Sequence, residues 1–163
     1  MAKINTKARA LFLDRDDTII TNIPYMSKVE DINYLPNVFE KLKEIQDLGY
    51  KIFIVTNQSG LSRELITYKE LEEIHQKITD DFSLKGLRIY KYYISPYIHK
   101  HPRRKPGPEL LLEAERDFNI DLKNSIMIGD GDRDVDAGYN AGLITCFKVK
   151  DPSFWTNLDL ELF

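Results

Sequence analysis

Two carboxylates stand two residues apart in the run Asp14-Arg15-Asp16-Asp17-Thr18, directly after the short apolar segment 10–13. Side chains at i and i+2 converge on one pocket if the chain leaves a strand in a tight turn. One carboxylate can attack phosphorus and split a hydrolysis into two easier displacements. The second, protonated, can donate to the leaving oxygen and afterwards take a proton from water. Asp14 is therefore assigned as nucleophile and Asp16 as acid/base. Taken alone, the run also suits a solvated acidic loop.

Three further stretches would complete such chemistry. Gly129-Asp130-Gly131-Asp132-Arg133-Asp134 follows the apolar segment 125–128. Carboxylates here and at Asp14 could share a hard cation, and Mg²⁺ suits a few carboxylates, waters and phosphate oxygens. Such an ion would screen the repulsion between an anionic nucleophile and a phosphate. Asp130 reads as the first metal ligand of this loop, and Asp134, one helical turn on, as a supporting or additional ligand. A calcium loop is the alternative, but the twelve-residue pattern with its terminal Glu is missing. Val55-Thr56-Asn57-Gln58-Ser59-Gly60 closes another apolar run. There the Thr56 hydroxyl and the Asn57 amide could hold phosphate oxygens, although a bare polar turn reads the same way. In Arg103-Arg104-Lys105-Pro106-Gly107-Pro108, Lys105 can bind phosphate as a point charge and Arg104 as a bidentate fork. A solvated basic loop is the competing reading of that stretch alone.

The elements that must position these residues follow from apolar periodicity. Strands are expected at 10–13, 51–55, 89–94, 125–128 and 144–149, the last holding Cys146 as a core residue. Val38, Leu42 and Ile45 recur at helical spacing between Pro36 and Gly49, which punctuate a helix start and stop. Leu71, Ile74, Ile78 and Phe82 mark the buried face of a second helix, on which His75 is expected at the surface. Helices at 109–118 and 133–141 complete a βαβαβαβαβ order, which implies a central parallel sheet with helices on both faces, a three-layer Rossmann-like α/β fold. Ligands bind beyond the carboxyl ends of such strands. Asp14, Thr56, Ser95 and Asp130 all close a predicted strand.

Composition narrows the class. The 163 residues suit a single domain over 1–163, and 42% hydrophobic with 30% charged residues is the balance of a soluble globular chain. A net charge of −3 supplies no field for nucleic acid or anionic lipid and argues against both as partners. The lone cysteine fits a reducing cytoplasm. The N-terminal stretch lacks the apolar region and cleavage site of a leader, and no run approaches the ~20 apolar residues of a membrane span. A monomer is expected. Phe154 and Trp155 either pack the C-terminal tail onto the body or form a small partner surface. The tyrosines at 90, 92, 93 and 97 are explained by strand alternation and core filling.

Four motifs in this order resemble the haloacid dehalogenase superfamily, over residues 8–150. Asp14-Arg15-Asp16-Asp17-Thr18 is similar to its first motif, Thr56 to the second, Lys105 to the third, and Asp130 with Asp134 to the fourth. The resemblance implies a phosphorylated Asp14 and an acid/base Asp16. It implies Mg²⁺ held by Asp14, the Asp16 backbone carbonyl and Asp130, with Asp134 in support, and a phosphate bound by Thr56 and Lys105. FLDRDDT, Tyr34-Leu35-Pro36-Asn37-Val38, VTNQSG and RRKPGP narrow it to the heptose-bisphosphate and histidinol-phosphate phosphatase branch. That branch has little or no cap domain, and none fits between Asp14 and Val38 or between Thr56 and Lys105. Asn57, Gln58, Ser59, Arg63 and Arg104 match positions expected near a small phosphorylated metabolite, first a heptose bisphosphate, then histidinol phosphate.

Two departures stand out. Asp17 occupies a position that is usually Gly in the branch, in a turn that Asp tolerates better than most residues. The loop from Ser95 to Arg103 lacks the cysteines of the branch's zinc site, and His99 and His101 are only two of the four ligands a structural zinc wants, so no structural zinc is expected. Other readings are a receiver-like signalling module, an inactive phosphate binder motivated by Asp17, and a nucleic-acid 3′-end phosphatase served by Arg103 and Arg104.

Overall fold

A computed structural model describes residues 6–163. Residues 1–5, which open the stretch read as lacking a leader, lie outside the described residues. Among the described residues no helix is long and apolar enough to cross a membrane.

Five strands form one all-parallel sheet: β1 (Arg9–Leu13), β2 (Tyr50–Asn57), β3 (Ile89–Ser95), β4 (Ile126–Gly129) and β5 (Thr145–Lys148). Their spatial order is β3-β2-β1-β4-β5. The chain winds outward from β1 through β2 to β3, then returns to the other side of β1 for β4. That reversal opens a crevice at the carboxyl ends of β1 and β4, the usual place for a ligand in such sheets.

The crossovers are α1 (Val38–Asp47), α2 (Tyr68–Leu84), α3 (Glu109–Phe118) and α4 (Asp132–Ala141), and a short α5 (Phe154–Asn157) follows β5. Strand residues alternate between the two faces, as the pleat requires. Leu11, Leu13, Ile52, Ile54 and Ile128 pack with α1 and α2 residues such as Leu42 and Phe82. Ala10, Phe12, Phe53, Val55 and Met127 face the opposite way and pack with Leu110, Leu111 and Ala114 of α3. The result is the expected three-layer α/β fold. α2 starts on a capping box: Thr67 Oγ1 accepts from the Glu70 N–H at 3.1 Å, and Glu70 Oε2 accepts from the Thr67 N–H at 2.8 Å. α1 stops before Gly49, whose φ of +99° is open to glycine and strained for other residues.

Among the described residues no cap layer covers the carboxyl edge. The stretch between β1 and α1 folds as a tight loop, held by an antiparallel bridge between Ile20 and Tyr34 and by the Tyr34 hydroxyl donating to Asp81 Oδ2 at 2.7 Å. The C-terminal tail packs on the body: Trp155 is fully buried with the α1 and α2 face, and its Nε1–H donates to the Thr18 carbonyl at 2.7 Å. Cys146 is only partly buried, against the α3 face of the sheet.

Candidate active site

The site begins where β1 ends. The Asp14 N–H is still bonded to the Ile128 carbonyl of β4 at 3.0 Å, so its side chain leaves the sheet from a fixed base. The next residues turn sharply, with the Ile19 and Ile20 N–H groups both returning to the Arg15 carbonyl. Asp17 takes the left-handed conformation this turn needs, at φ 55°, and its Oδ1 accepts from the Asn22 N–H at 2.8 Å. The turn therefore survives without glycine, because a short carboxylate can bond its own loop in that conformation.

Lys105 is the hub. It arrives from the loop before α3 with its side chain 1% exposed. Its Nζ donates to Asp14 Oδ1 at 2.7 Å and to the Val55 carbonyl at 2.7 Å. Asp134 Oδ1 ion-pairs with it at 2.6 Å. Burial alone would pull this amine down, but Asp14 and Asp134 outweigh that and hold the ammonium above the ordinary lysine range. Its backbone is clamped too: Asn57 Nδ2 donates to the Lys105 carbonyl and the Lys105 N–H donates to Asn57 Oδ1, both at 3.1 Å. The Asn57 side chain is thus spent on placing Lys105.

Asp130 and Asp134 come from the end of β4 and the start of α4. Gly129 lets them approach, because a Cβ there would lie 2.3 Å from the Asp134 Cβ. Asp134 is fully buried, and its Oδ2 accepts from the Gly131 N–H at 2.9 Å. One carboxylate oxygen each from Asp14, Asp130 and Asp134 gather within 4.8 Å of one another. Asp130 is pushed up to about 7, first by burial, then by its hydrogen bond to Asp14 and the negative charge of Asp14 and Asp134. Its Oδ1 is buried with no hydrogen-bond partner. An orphaned oxygen among crowded carboxylates fits a hard divalent cation with oxygen ligands. Asp134 is already committed to Lys105 and Gly131, which leaves Asp14 and Asp130 as the carboxylates best free to hold the ion.

Asp16 lies on the other side of Asp14, among donors. Arg15 Nε reaches Asp16 Oδ1 at 3.0 Å, and the other terminal nitrogen of Arg15 reaches Oδ2 at 3.1 Å. Gln58 Nε2 donates to the same Oδ2 at 3.1 Å and to Thr56 Oγ1 at 2.8 Å. Gln58 thereby links the end of β2 to the acid/base candidate. Thr56 is buried, and Ser59 is half-buried beside it. Asp16, Asn57, Gln58, Ser59, Arg104 and Arg133 border a cavity of about 250 Å³. Arg104 is lowered by burial and then by the positive charge of Arg133 and Arg63, and of these Arg104 and Arg133 border the cavity. Arg104 also donates to the Tyr97 carbonyl at 2.7 Å. In the neighbouring loop His99 is exposed, whereas His101 stacks on Tyr97 at 3.6 Å and accepts from the Arg103 N–H at 3.0 Å.

The structure thus gathers Asp14, Asp16, Thr56, Gln58, Lys105, Asp130 and Asp134, with Arg104 and Arg133 at the rim, while Arg63 is exposed and outside the cavity lining. It corrects the expected place of His75 and adds Arg15 and Arg133. His75 is buried rather than at the surface, and Arg15, unassigned from sequence, is 1% exposed between His75 and Asp16. His75 lies four residues after Leu71, on the apolar stripe of α2, and that spacing was a sufficient signal for its burial. Arg133 was not assigned to the rim either, because an exposed arginine in an acidic loop carries no distinguishing pattern.

Comparison with known proteins places this arrangement. The family model described as polynucleotide kinase 3 phosphatase matches residues 9–163. The D-glycero-alpha-D-manno-heptose-1,7-bisphosphate 7-phosphatase of Photorhabdus laumondii is 36% identical over 155 residues, covering 90% of this chain and 85% of that one. The D-glycero-beta-D-manno-heptose-1,7-bisphosphate 7-phosphatase of Helicobacter pylori is 38% identical over 155 residues, covering 90% of each. Among solved structures, D,D-heptose 1,7-bisphosphate phosphatase from B. bronchiseptica, complexed with magnesium and phosphate, superposes with a TM-score of 0.76 at 25% identity, covering 83% of this chain and 77% of that one.

Proposed function

The chain belongs to the polynucleotide kinase 3 phosphatase family within the haloacid dehalogenase phosphatases, and from that premise we propose that it removes one phosphate from a heptose bisphosphate, with Asp14 as nucleophile. The observation that carries the reading is the Lys105 ammonium lodged between Asp14 and Asp134, which ties three distant stretches of chain to one point. The two relatives described above are named for heptose 1,7-bisphosphates of opposite anomeric form, so the anomer is left to experiment.

In this reading Lys105 holds the Asp14 carboxylate in place and offers charge to the transferring phosphoryl group as it arrives. Asp14 attacks phosphorus, the bond to the sugar oxygen breaks, and Asp16 gives that oxygen a proton. Asp16 then takes a proton from water, which attacks the aspartyl phosphate and releases phosphate with Asp14 restored. Thr56 and the loop after it face the phosphoryl oxygens. Asp14 and Asp130, with the Asp16 backbone carbonyl, would hold Mg²⁺, which would supply positive charge against the phosphate oxygens. Arg104 and Arg133, which border the cavity, suit the second phosphate of a bisphosphate, and Arg63 adds positive charge nearby. The lone cysteine supports placing the enzyme in a reducing cytoplasm.

The test is phosphate release with Mg²⁺ from the α and β anomers of D-glycero-D-manno-heptose 1,7-bisphosphate, with ³¹P NMR showing which phosphate leaves. Histidinol phosphate and a 3′-phosphorylated oligonucleotide serve as comparators. Turnover of one heptose anomer, abolished by Asp14→Asn, supports the reading. Turnover of the oligonucleotide with both heptose anomers untouched would overturn it.

A further inference from the structure

Behind the acid/base candidate lies a buried polar column that no step above uses. Arg15 is 1% exposed and divides its guanidinium between two partners. One edge grips the Asp16 carboxylate, and the third nitrogen meets His75 Nε2 at 3.2 Å. An arginine can only donate, so Nε2 must accept and the imidazole must be neutral with its proton on Nδ1. The ring is stacked on Tyr92, centroids 4.3 Å apart and planes 14° from parallel. The Tyr92 hydroxyl donates to the His75 carbonyl at 3.0 Å and therefore takes its other bond, at 2.9 Å, from the Thr79 hydroxyl. α2 and β3 thus hold the imidazole on two sides. Burial, and then the Arg15 charge, push His75 down to about 3, consistent with the neutral form the geometry requires.

We propose that His75 is a positioning residue for Asp16, acting through Arg15: its fixed acceptor sets the plane of the guanidinium, and the guanidinium sets the rotamer of the acid/base carboxylate. The inference rests on the assignment of Asp16 as acid/base. Arg15 has several rotatable bonds and, without a partner at its far end, could turn its fork away from Asp16. A buried guanidinium left with an unmet donor would also draw in water or shift to find another acceptor. Either outcome displaces the group that protonates the leaving oxygen, while Asp14, Lys105 and the metal carboxylates stay where they are.

That separation makes a specific test. An alkyl phosphomonoester, whose leaving oxygen needs a proton, is compared with p-nitrophenyl phosphate, whose leaving group departs as a stable anion. His75→Leu is expected to lower kcat/KM on the alkyl ester by about 10- to 100-fold, at or below the lower end of what general acid catalysis contributes, and kcat/KM on p-nitrophenyl phosphate by no more than about 3-fold, because kcat/KM reports phosphoryl transfer to Asp14 and not the later hydrolysis in which Asp16 serves both esters alike. His75→Gln, whose amide oxygen can stand near the Nε2 position, restores most of the alkyl-ester rate. His75→Asn is polar but too short to reach, and behaves like the leucine variant, so the comparison holds even if His75→Leu folds poorly. Thermal melts and Mg²⁺ titration by calorimetry confirm that each variant is folded with its metal site intact. Equal losses on both esters, or no difference between Gln and Asn, would overturn the proposal. Full activity of Asp14→Asn would instead overturn the nucleophile and acid/base assignments on which it stands.

Discussion

Lys105 bears the heaviest electrostatic duty of any side chain in the site, because it is the only cation that touches both Asp14 and Asp134 among the described residues. Replacing one member of a buried charge set leaves its partners uncompensated, which costs about 3–5 kcal/mol. Lys105→Met is expected to lose that much in urea unfolding without Mg²⁺, and to lose phosphatase activity. His75 gives a pH prediction of opposite chemistry. Its folded-state value of about 3 lies below the unfolded 6.5, so between those limits the unfolded chain binds the extra proton. Stability therefore falls as pH falls from 6.5 towards 3, by about 1.4 kcal/mol per unit. Between pH 7 and pH 5 the wild type should lose about 2 kcal/mol more than His75→Gln in matched urea titrations. Among the described residues Arg15 bonds the ring and Tyr92 stacks on it, and neither changes charge in that window. The motif carboxylates, Thr56 and Lys105 were legible because their types and order suffice to name them. Arg15 and His75 were not paired in advance, because their contact joins residues 60 positions apart and depends on how α2 lies on the sheet.

At the scale of elements, the loop after β1 is held from three directions: by β4, by α2, and by α5. The last was the hardest to foresee. Phe154 and Trp155 had two fates open in the sequence, and a four-residue helix offers too little periodicity to choose between them. The structure decides for packing, with the Trp155 indole bonded to the Thr18 carbonyl inside the catalytic turn. Trp155→Phe keeps the aromatic bulk but orphans that carbonyl, so a loss of about 1–3 kcal/mol is expected in urea unfolding. Because the bond ends on the turn that carries Asp14 and Asp16, kcat should fall in the same variant while KM changes less. The strands and long helices were legible, since apolar residues at period two and period 3.6 mark them directly. The register was less so. β2 runs to Asn57, two residues beyond the predicted strand, because Thr56 and Asn57 pair with β3 although their side chains serve the site.

For the whole molecule, the parallel sheet converts sequence order into a single charged edge. Its order β3-β2-β1-β4-β5 sets the acids of β1 and β4 side by side, with the hydroxyl of β2 on one flank. The sequence implied a parallel sheet, but not which strands would be neighbours. Crowding acids at one edge destabilises the metal-free protein and primes it for a cation. Mg²⁺ at 100 times its dissociation constant should stabilise the wild type by about 2.7 kcal/mol, read as a rise in melting temperature. Asp130→Asn should abolish that rise yet melt no lower than wild type without metal, because it removes a carboxylate whose charged form is disfavoured first by burial and then by Asp14 and Asp134. Among the described residues there is no cap layer, so in the proposed reading the loops and the rim arginines Arg104 and Arg133 govern access. The claim beneath all of this is that Asp14 takes the phosphoryl group. Enzyme quenched during turnover with Mg²⁺, reduced with borohydride and digested tests it directly, since a phosphorylated aspartate is reduced to homoserine. The account predicts homoserine at position 14 only when substrate is present, and steady phosphate release with Asp14 unmodified throughout would contradict it.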